Sequence, residues 1–201
     1  QVAIFEKLIS HAKEIAPIGK VRTPGITSID DLTAFLDITP SRTAKAVFLM
    51  AERSKNLDPL LVFAVLRGDM TLNETKLANT LAQMGCTGIK DLRPARDEEI
   101  QASGAVPGYA SPIGINRKNV VVVVDDLLTI SPNLVAGANV VGYHLLNTNL
   151  GRDYESDIIA DIALAEDGAL CPHCGGVMKA NRGIEVGNIF KLGTRYTEAM
   201  G

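Results

Sequence analysis

Three features of this chain have the residue types for chemistry: a lysine entering an apolar run, a histidine inside another, and a loop built from glycine and proline. Lys45 opens Lys45-Ala46-Val47-Phe48-Leu49-Met50, where strand alternation puts its ammonium on the face of Val47 and Leu49. Such a lysine either snorkels past the strand's end or aims a cation into a pocket; the pattern leaves both open. His144 lies in Val140-Val141-Gly142-Tyr143-His144-Leu145-Leu146, read as a strand with His144 on the face of Gly142 and Leu146. A strand histidine is either a packed structural residue or a polar group of a site. Gly104-Ala105-Val106-Pro107-Gly108-Tyr109-Ala110-Ser111-Pro112 places two glycines and two prolines in nine residues, which rules out helix or central strand. A loop of this shape can turn backbone N–H groups toward an oxyanion or phosphate, although an ordinary connection has the same composition.

Other chemistries find less support. Cys171-Pro172-His173-Cys174, followed by Gly175-Gly176, looks like half of a zinc knuckle. A closed zinc site takes four ligands and His173 sits inside the knuckle turn, so no metal site is expected. Cys86, in Met84-Gly85-Cys86-Thr87-Gly88, has no base near it in sequence. There is no Gly-x-Ser-x-Gly elbow, no Gly-rich phosphate loop ending in Lys-Ser/Thr and no His-Glu-x-x-His.

The candidate residues must be positioned by flanking elements. Apolar residues at helical spacing, Phe5, Leu8, Ile9, Ala12, Ile15 and Ala16, predict an amphipathic helix over residues 2–16, ended by Pro17 and Gly19. Ser28-Ile29-Asp30-Asp31 resembles a capping box, opening a short helix with Ile29, Leu32 and Leu36 on one face. Thr39-Pro40 reads as another helix start. Leu60 to Leu66 is a buried strand, Asn73 caps a helix reaching about Met84, and Asp97-Glu98-Glu99-Ile100 starts another that Gly104 closes. Val120 to Val124 is a strand buried on both faces. Asp157 to Ala165 is strand-like or a short helix, and Arg182 to Met200 reads as strand, turn and helix start.

With 201 residues, 46% hydrophobic and 21% charged, the chain can bury a full core, as one domain with appendages or two small ones. A formal charge of −3 gives no global signal for nucleic acid, so contact with a polyanion must be local. No apolar run approaches the roughly 20 residues a membrane span needs, and no signal peptide opens the chain. A cytoplasmic protein is expected. The start at Gln1 and the stop at Gly201, just after an apparently helical run, suggest a piece of a longer polypeptide.

Taken together, five internal segments and the tail carry a resemblance. They are Thr43-Ala44-Lys45-Ala46; Arg67-Gly68-Asp69 with Leu72-Asn73-Glu74-Thr75-Lys76; Gly104 to Pro112; Ala136-Gly137-Ala138-Asn139; and Gly142-Tyr143-His144. The tail runs from Arg182-Gly183-Ile184-Glu185-Val186-Gly187 to Tyr196. The chain resembles the editing (insertion) domain of bacterial prolyl-tRNA synthetase, in the YbaK-like family of aminoacyl-tRNA deacylases. Its tail is similar to the segment that re-enters the class II catalytic domain, with Asn188 where that family usually carries histidine.

The resemblance implies an α/β (α+β mixed) fold: a twisted mixed sheet, partly barrel-like, surrounded by helices. It divides the chain into a flanking helix or linker over 1–19, an editing domain over 20–165 and a return segment over 166–201. It implies hydrolysis of mischarged Ala-tRNA(Pro), with Lys45, Gly108 and His144 as catalytic positions. Ile29, Leu32, Tyr109, Ala110, Ser111 and Pro112 would bind substrate. No cofactor is implied for editing, whereas the parent synthetase would use ATP and Mg. The implied partners are the 3′ end of tRNA(Pro) carrying alanine and the catalytic domain of the same chain, in a parent enzyme that is a homodimer. A proline-activating site rejects a smaller amino acid poorly, because each lost methylene is worth only about 1–3 kcal/mol. A second, small apolar sieve walled by Ile29 and Leu32 would accept alanine's methyl and exclude the proline ring. The rival readings are an insert that only steadies the parent enzyme, and a free-standing deacylase for another misacylated tRNA.

Overall fold

A computed structural model describes residues 3–7, 14–54 and 57–181. In chain order the elements are β1 (Gly19–Arg22), α1 (Ile29–Leu36), β2 (Ala44–Arg53), β3 (Leu60–Arg67), α2 (Glu74–Gln83), β4 (Ile89–Pro94), α3 (Asp97–Ala102), β5 (Val120–Asp125), β6 (Leu134–Gly137), β7 (Tyr143–Thr148) and β8 (Ile158–Ala160). Single 3-10 turns lie at Pro40–Arg42 and Asp126–Ile130. The strands form two open sheets: five strands in the order β4-β2-β3-β5-β8, and three in the order β1-β7-β6. The larger sheet is mixed, antiparallel across β4, β2 and β3 and parallel from β3 through β5 to β8. A parallel bridge between Thr43 and Val135 links the sheets at one corner. The fold is thus mixed α/β, with the sheets meeting without closing a barrel.

The two runs read as buried strands, β3 and β5, sit side by side at the centre. Val62, Ala64, Leu66, Val121 and Val123 face a core that includes Leu77 and Leu81 of α2. Phe63, Val65, Val122 and Val124 face a second core with Ile100 of α3 and Leu134 of β6. Covering on both faces is what makes their sequences continuously apolar rather than alternating. The helix starts follow their caps: the Asp31 N–H donates to Ser28 Oγ at 3.0 Å, and the Lys76 N–H to Asn73 Oδ1 at 3.1 Å. Among the described residues no helix is long and apolar enough to cross a membrane.

The helix expected over residues 2–16 is corrected in its described parts, because 3–7 and 14–16 carry no helix. Their backbone groups are used elsewhere. Glu6 N–H donates to Leu170 O at 2.8 Å, Ala16 N–H to Asn133 Oδ1 at 2.9 Å, and Asn133 Nδ2 to Glu14 O at 2.8 Å. Phe5 inserts into the α2-side core, and Lys7 Nζ donates to both oxygens of Asp125 at 2.8 Å while also meeting Asp126 and Asp161. Long-range anchoring therefore overrides a helical apolar spacing. The strand expected from Val140 begins later, at Tyr143, because Val140 to Gly142 form a turn closed by Tyr143 N–H to Val140 O at 3.1 Å. The expected elements at 182–200 lie outside the described residues.

Candidate functional site

β4 ends at Pro94, which pairs with Leu49, so among the described residues the first half of β2 has no strand partner on that side. A cavity of about 470 Å³ opens beside this free edge. Its walls come from α1 and the residues before it (Thr27, Ser28, Ile29, Leu32), from β2 (Ala44 to Ala46, Phe48) and from α3 (Asp97, Ile100). The loop contributes Pro107, Gly108 and Ala110, β6 contributes Gly137, and β7 contributes His144.

Of the nine residues singled out in the sequence, six border this one cavity: Lys45, Gly108, His144, Ile29, Leu32 and Ala110. Lys45 is half-buried, and its ammonium group makes no hydrogen bond or ion pair with the described residues. Alternation assigns it to the face of Val47, yet it borders the cavity beside Ala44, Ala46 and Phe48 of the opposite face. The remaining three, Tyr109, Ser111 and Pro112, are buried and do not line the cavity. They support it. Ser111 N–H donates to Asn139 Oδ1 at 3.0 Å, and Asn139 Nδ2 returns bonds to the carbonyls of Ser111 at 2.9 Å and Ile113 at 2.8 Å.

Two glycines let the loop pack closely against its neighbours at the cavity. Gly108 has φ +78°, and a Cβ there would lie 2.7 Å from Thr27 Cγ2; Gly137 packs so closely that a Cβ would overlap the Tyr109 carbonyl. Tyr109 N–H is spent on Val106 O at 2.9 Å, whereas among the described residues neither the Gly108 nor the Ala110 N–H donates a hydrogen bond. Two main-chain donors thus belong to cavity-lining residues without a protein acceptor, an arrangement suited to an oxyanion.

His144 is 5% exposed, and its Nδ1 lies 2.6 Å from Thr23 Oγ1. The Tyr109 ring sits 5.5 Å away, with its hydroxyl 3.5 Å from Thr23 O. Burial pushes the imidazole pKa below its ordinary value of 6.5, favouring the neutral ring. Sequence reasoning did not select Thr23, Thr27, Asp97 or Gly137. Asp97 has only the local signal of an acid in a helix's first turn, Gly137 only its place in the segment Ala136-Gly137-Ala138-Asn139, and Thr23 touches His144 from 121 positions away.

The only group of three or more potential metal ligands close together among the described residues is Asp125, Asp126 and Asp161. Lys7 Nζ already lies among these carboxylates. Cys171 and Cys174 stand at the tip of a hairpin formed by Leu170 and Val177, where Cys171 N–H donates to Gly176 O at 2.9 Å.

The sequence matches the aminoacyl-tRNA editing domain family over residues 23–154. This chain belongs to that family. Every residue bordering the cavity, from Thr27 to His144, falls inside the matched range. Relatives of this editing domain include the proline–tRNA ligase of Salinispora tropica, 46% identical over 204 residues, covering 100% of this chain and 33% of the relative. The proline–tRNA ligase of Dehalococcoides mccartyi, strain BAV1, is 45% identical over 199 residues, covering 99% and 32%. The chain therefore spans about a third of the length of these relatives. Among solved structures, a candidate trans-editing enzyme for prolyl-tRNA synthetase aligns with TM-score 0.55 at 16% identity, covering 74% of this chain and 87% of its own. A hypothetical protein aligns with TM-score 0.55 at 20% identity, covering 73% and 91%. At these identities the likeness concerns the fold.

Proposed function

We propose that this editing domain hydrolyses the ester joining alanine to the 3′ end of tRNA(Pro), as the post-transfer proofreading part of a prolyl-tRNA synthetase. The observation that carries the reading is the single cavity bordered by Lys45, Gly108 and His144 together with Ile29 and Leu32. The name of the relatives, proline–tRNA ligase, supports proline as the parent's amino acid, and proline's smaller competitors are what such a site rejects poorly.

An aminoacyl ester needs no protein nucleophile. Water attacks the carbonyl carbon, the bond to the ribose oxygen breaks, and that oxygen takes a proton as it leaves. The Gly108 and Ala110 N–H groups are the donors for the oxygen on which negative charge develops. Lys45 holds a phosphate or the terminal ribose as a compact point charge. The 2′-hydroxyl of the terminal adenosine helps position the water, and neutral His144 orients substrate or water. The cavity of about 470 Å³ is a partly open cleft, so exclusion of the proline ring falls to the apolar contacts of Ile29 and Leu32 rather than to total volume. The scheme requires no metal or other cofactor, so a chelator should leave the rate unchanged.

The deciding experiment incubates the 201-residue chain with Ala-tRNA(Pro) and with Pro-tRNA(Pro). Release of alanine with proline left in place is the expected result. Neither ester being cleaved would favour an insert that only steadies its parent enzyme.

A further inference from the structure

Thr23 is fully buried, and its hydroxyl has a single hydrogen-bond partner among the described residues, His144 Nδ1, at 2.6 Å. The two possible proton arrangements across this contact are not equivalent. If Nδ1 carried the hydrogen and donated to Thr23, the fully buried threonine O–H would itself be left without an acceptor among the described residues, at a cost of about 1–3 kcal/mol. If instead Thr23 donates to a bare Nδ1, both groups are satisfied, and in a neutral ring the remaining hydrogen must sit on Nε2. His144 Nε2 has no partner among the described residues, and His144 is one of the residues bordering the cavity. Surrounding contacts hold this geometry: Thr23 N–H donates to Gly142 O at 2.8 Å, and His144 is in strand register with Val21 on one side and Gly137 on the other.

We infer that Thr23 is a positioning residue that locks His144 in the Nε2–H tautomer, so that the imidazole offers the cavity a hydrogen-bond donor and not a general base. This rests on the deacylase reading for its consequence: the Nε2–H donates to an oxygen of the bound aminoacyl ester, and water is not deprotonated by His144. Thr23 itself never touches substrate.

The test separates the tautomer from the activity. Imidazole nitrogen chemical shifts of the 201-residue chain, measured at neutral pH without substrate, report which nitrogen bears hydrogen. The inference expects a bare Nδ1 and a protonated Nε2 for His144. Thr23→Ser, which keeps the hydroxyl, should preserve that pattern and the deacylation rate. Thr23→Val, which keeps the shape and removes the donor, should lose the tautomer preference and slow alanine release roughly tenfold, the worth of one net hydrogen bond. Hydrogen on Nδ1 in the parent chain, or an unchanged tautomer in the folded valine variant, would overturn it. Failure of the parent chain to cleave Ala-tRNA(Pro) would count against the deacylase reading alone, because the nitrogen shifts are read without it.

Discussion

The Lys45 ammonium has no partner among the described residues and the residue borders the cavity, so its charge is free to meet a phosphate or ribose oxygen. Lys45→Ala should lower alanine release roughly ten- to a hundredfold, the range for a charge-assisted hydrogen bond, while circular dichroism and the melting temperature stay near those of the parent. Full activity would remove the ammonium from the mechanism. Gly108→Ala acts differently. Its φ of +78° and the nearby Thr27 methyl oppose any side chain, costing about 1–2 kcal/mol of backbone strain, and the displaced loop should slow hydrolysis more than it lowers stability in a urea titration. His144 supplies a pH signature. Burial holds its folded pKa below the ordinary 6.5, so between these values the unfolded chain binds more protons than the folded one. Its contribution to stability is complete above 6.5 and is lost as pH falls through the folded value. His144→Asn should flatten that part of the pH–stability curve, as denaturant midpoints across acid pH would reveal. Lys45 and His144 were legible as unusual polar residues in apolar runs. Thr23 was not, because its partner lies on a strand far along the chain.

At the level of elements, the loop from Gly104 to Pro112 is held by Asn139, whose amide bridges Ser111 and Ile113. Asn139→Ala leaves an N–H and two carbonyls without these partners, and the structure should lose about 2–3 kcal/mol, measured as a shift in the denaturant midpoint with unchanged slope. A smaller loss would mean that the loop is fastened elsewhere. Strands β3 and β5 and the caps at Ser28 and Asn73 were readable because their signals are local: β-branched runs, and a side-chain oxygen ahead of a helix. The N-terminal stretch misled because helical spacing of apolar residues does not say whether their backbone will find better partners. Asn133, 117 residues from Ala16, decides that. The turn at Val140 to Gly142 likewise hid inside an apolar run that had the composition of a strand.

For the molecule as a whole, the N-terminal segment is fastened to the sheet by charge. Asp125 is fully buried; burial pushes its pKa up, and the bonds from Lys7, with lesser help from the Ile162 and Leu127 N–H groups, pull against that. Lys7→Met would strand this carboxylate, and a loss of about 3 kcal/mol is expected from breaking a buried pair. With its folded pKa raised further, Asp125 in the variant holds a proton that the unfolded chain releases, so the variant's stability should begin to fall above the ordinary carboxylate value of 3.8 and keep falling as pH rises through the raised folded value. Thermal melts at several pH values check this. An unchanged melting temperature would mean that the N-terminal strap contributes nothing to the fold. The sequence by itself determined the mixed α/β class, the central strands, the helix caps and the family, because these depend on neighbours in the chain and on motifs kept in order. Only the tertiary structure decided that one cavity gathers Lys45, Gly108 and His144, that Tyr109, Ser111 and Pro112 stand behind its wall, and that the Thr23 hydroxyl lies against the imidazole. Those relations depend on which strand lies beside which. Sheet order and long-range register emerge from packing two cores at once, and no local run of residues contains that information.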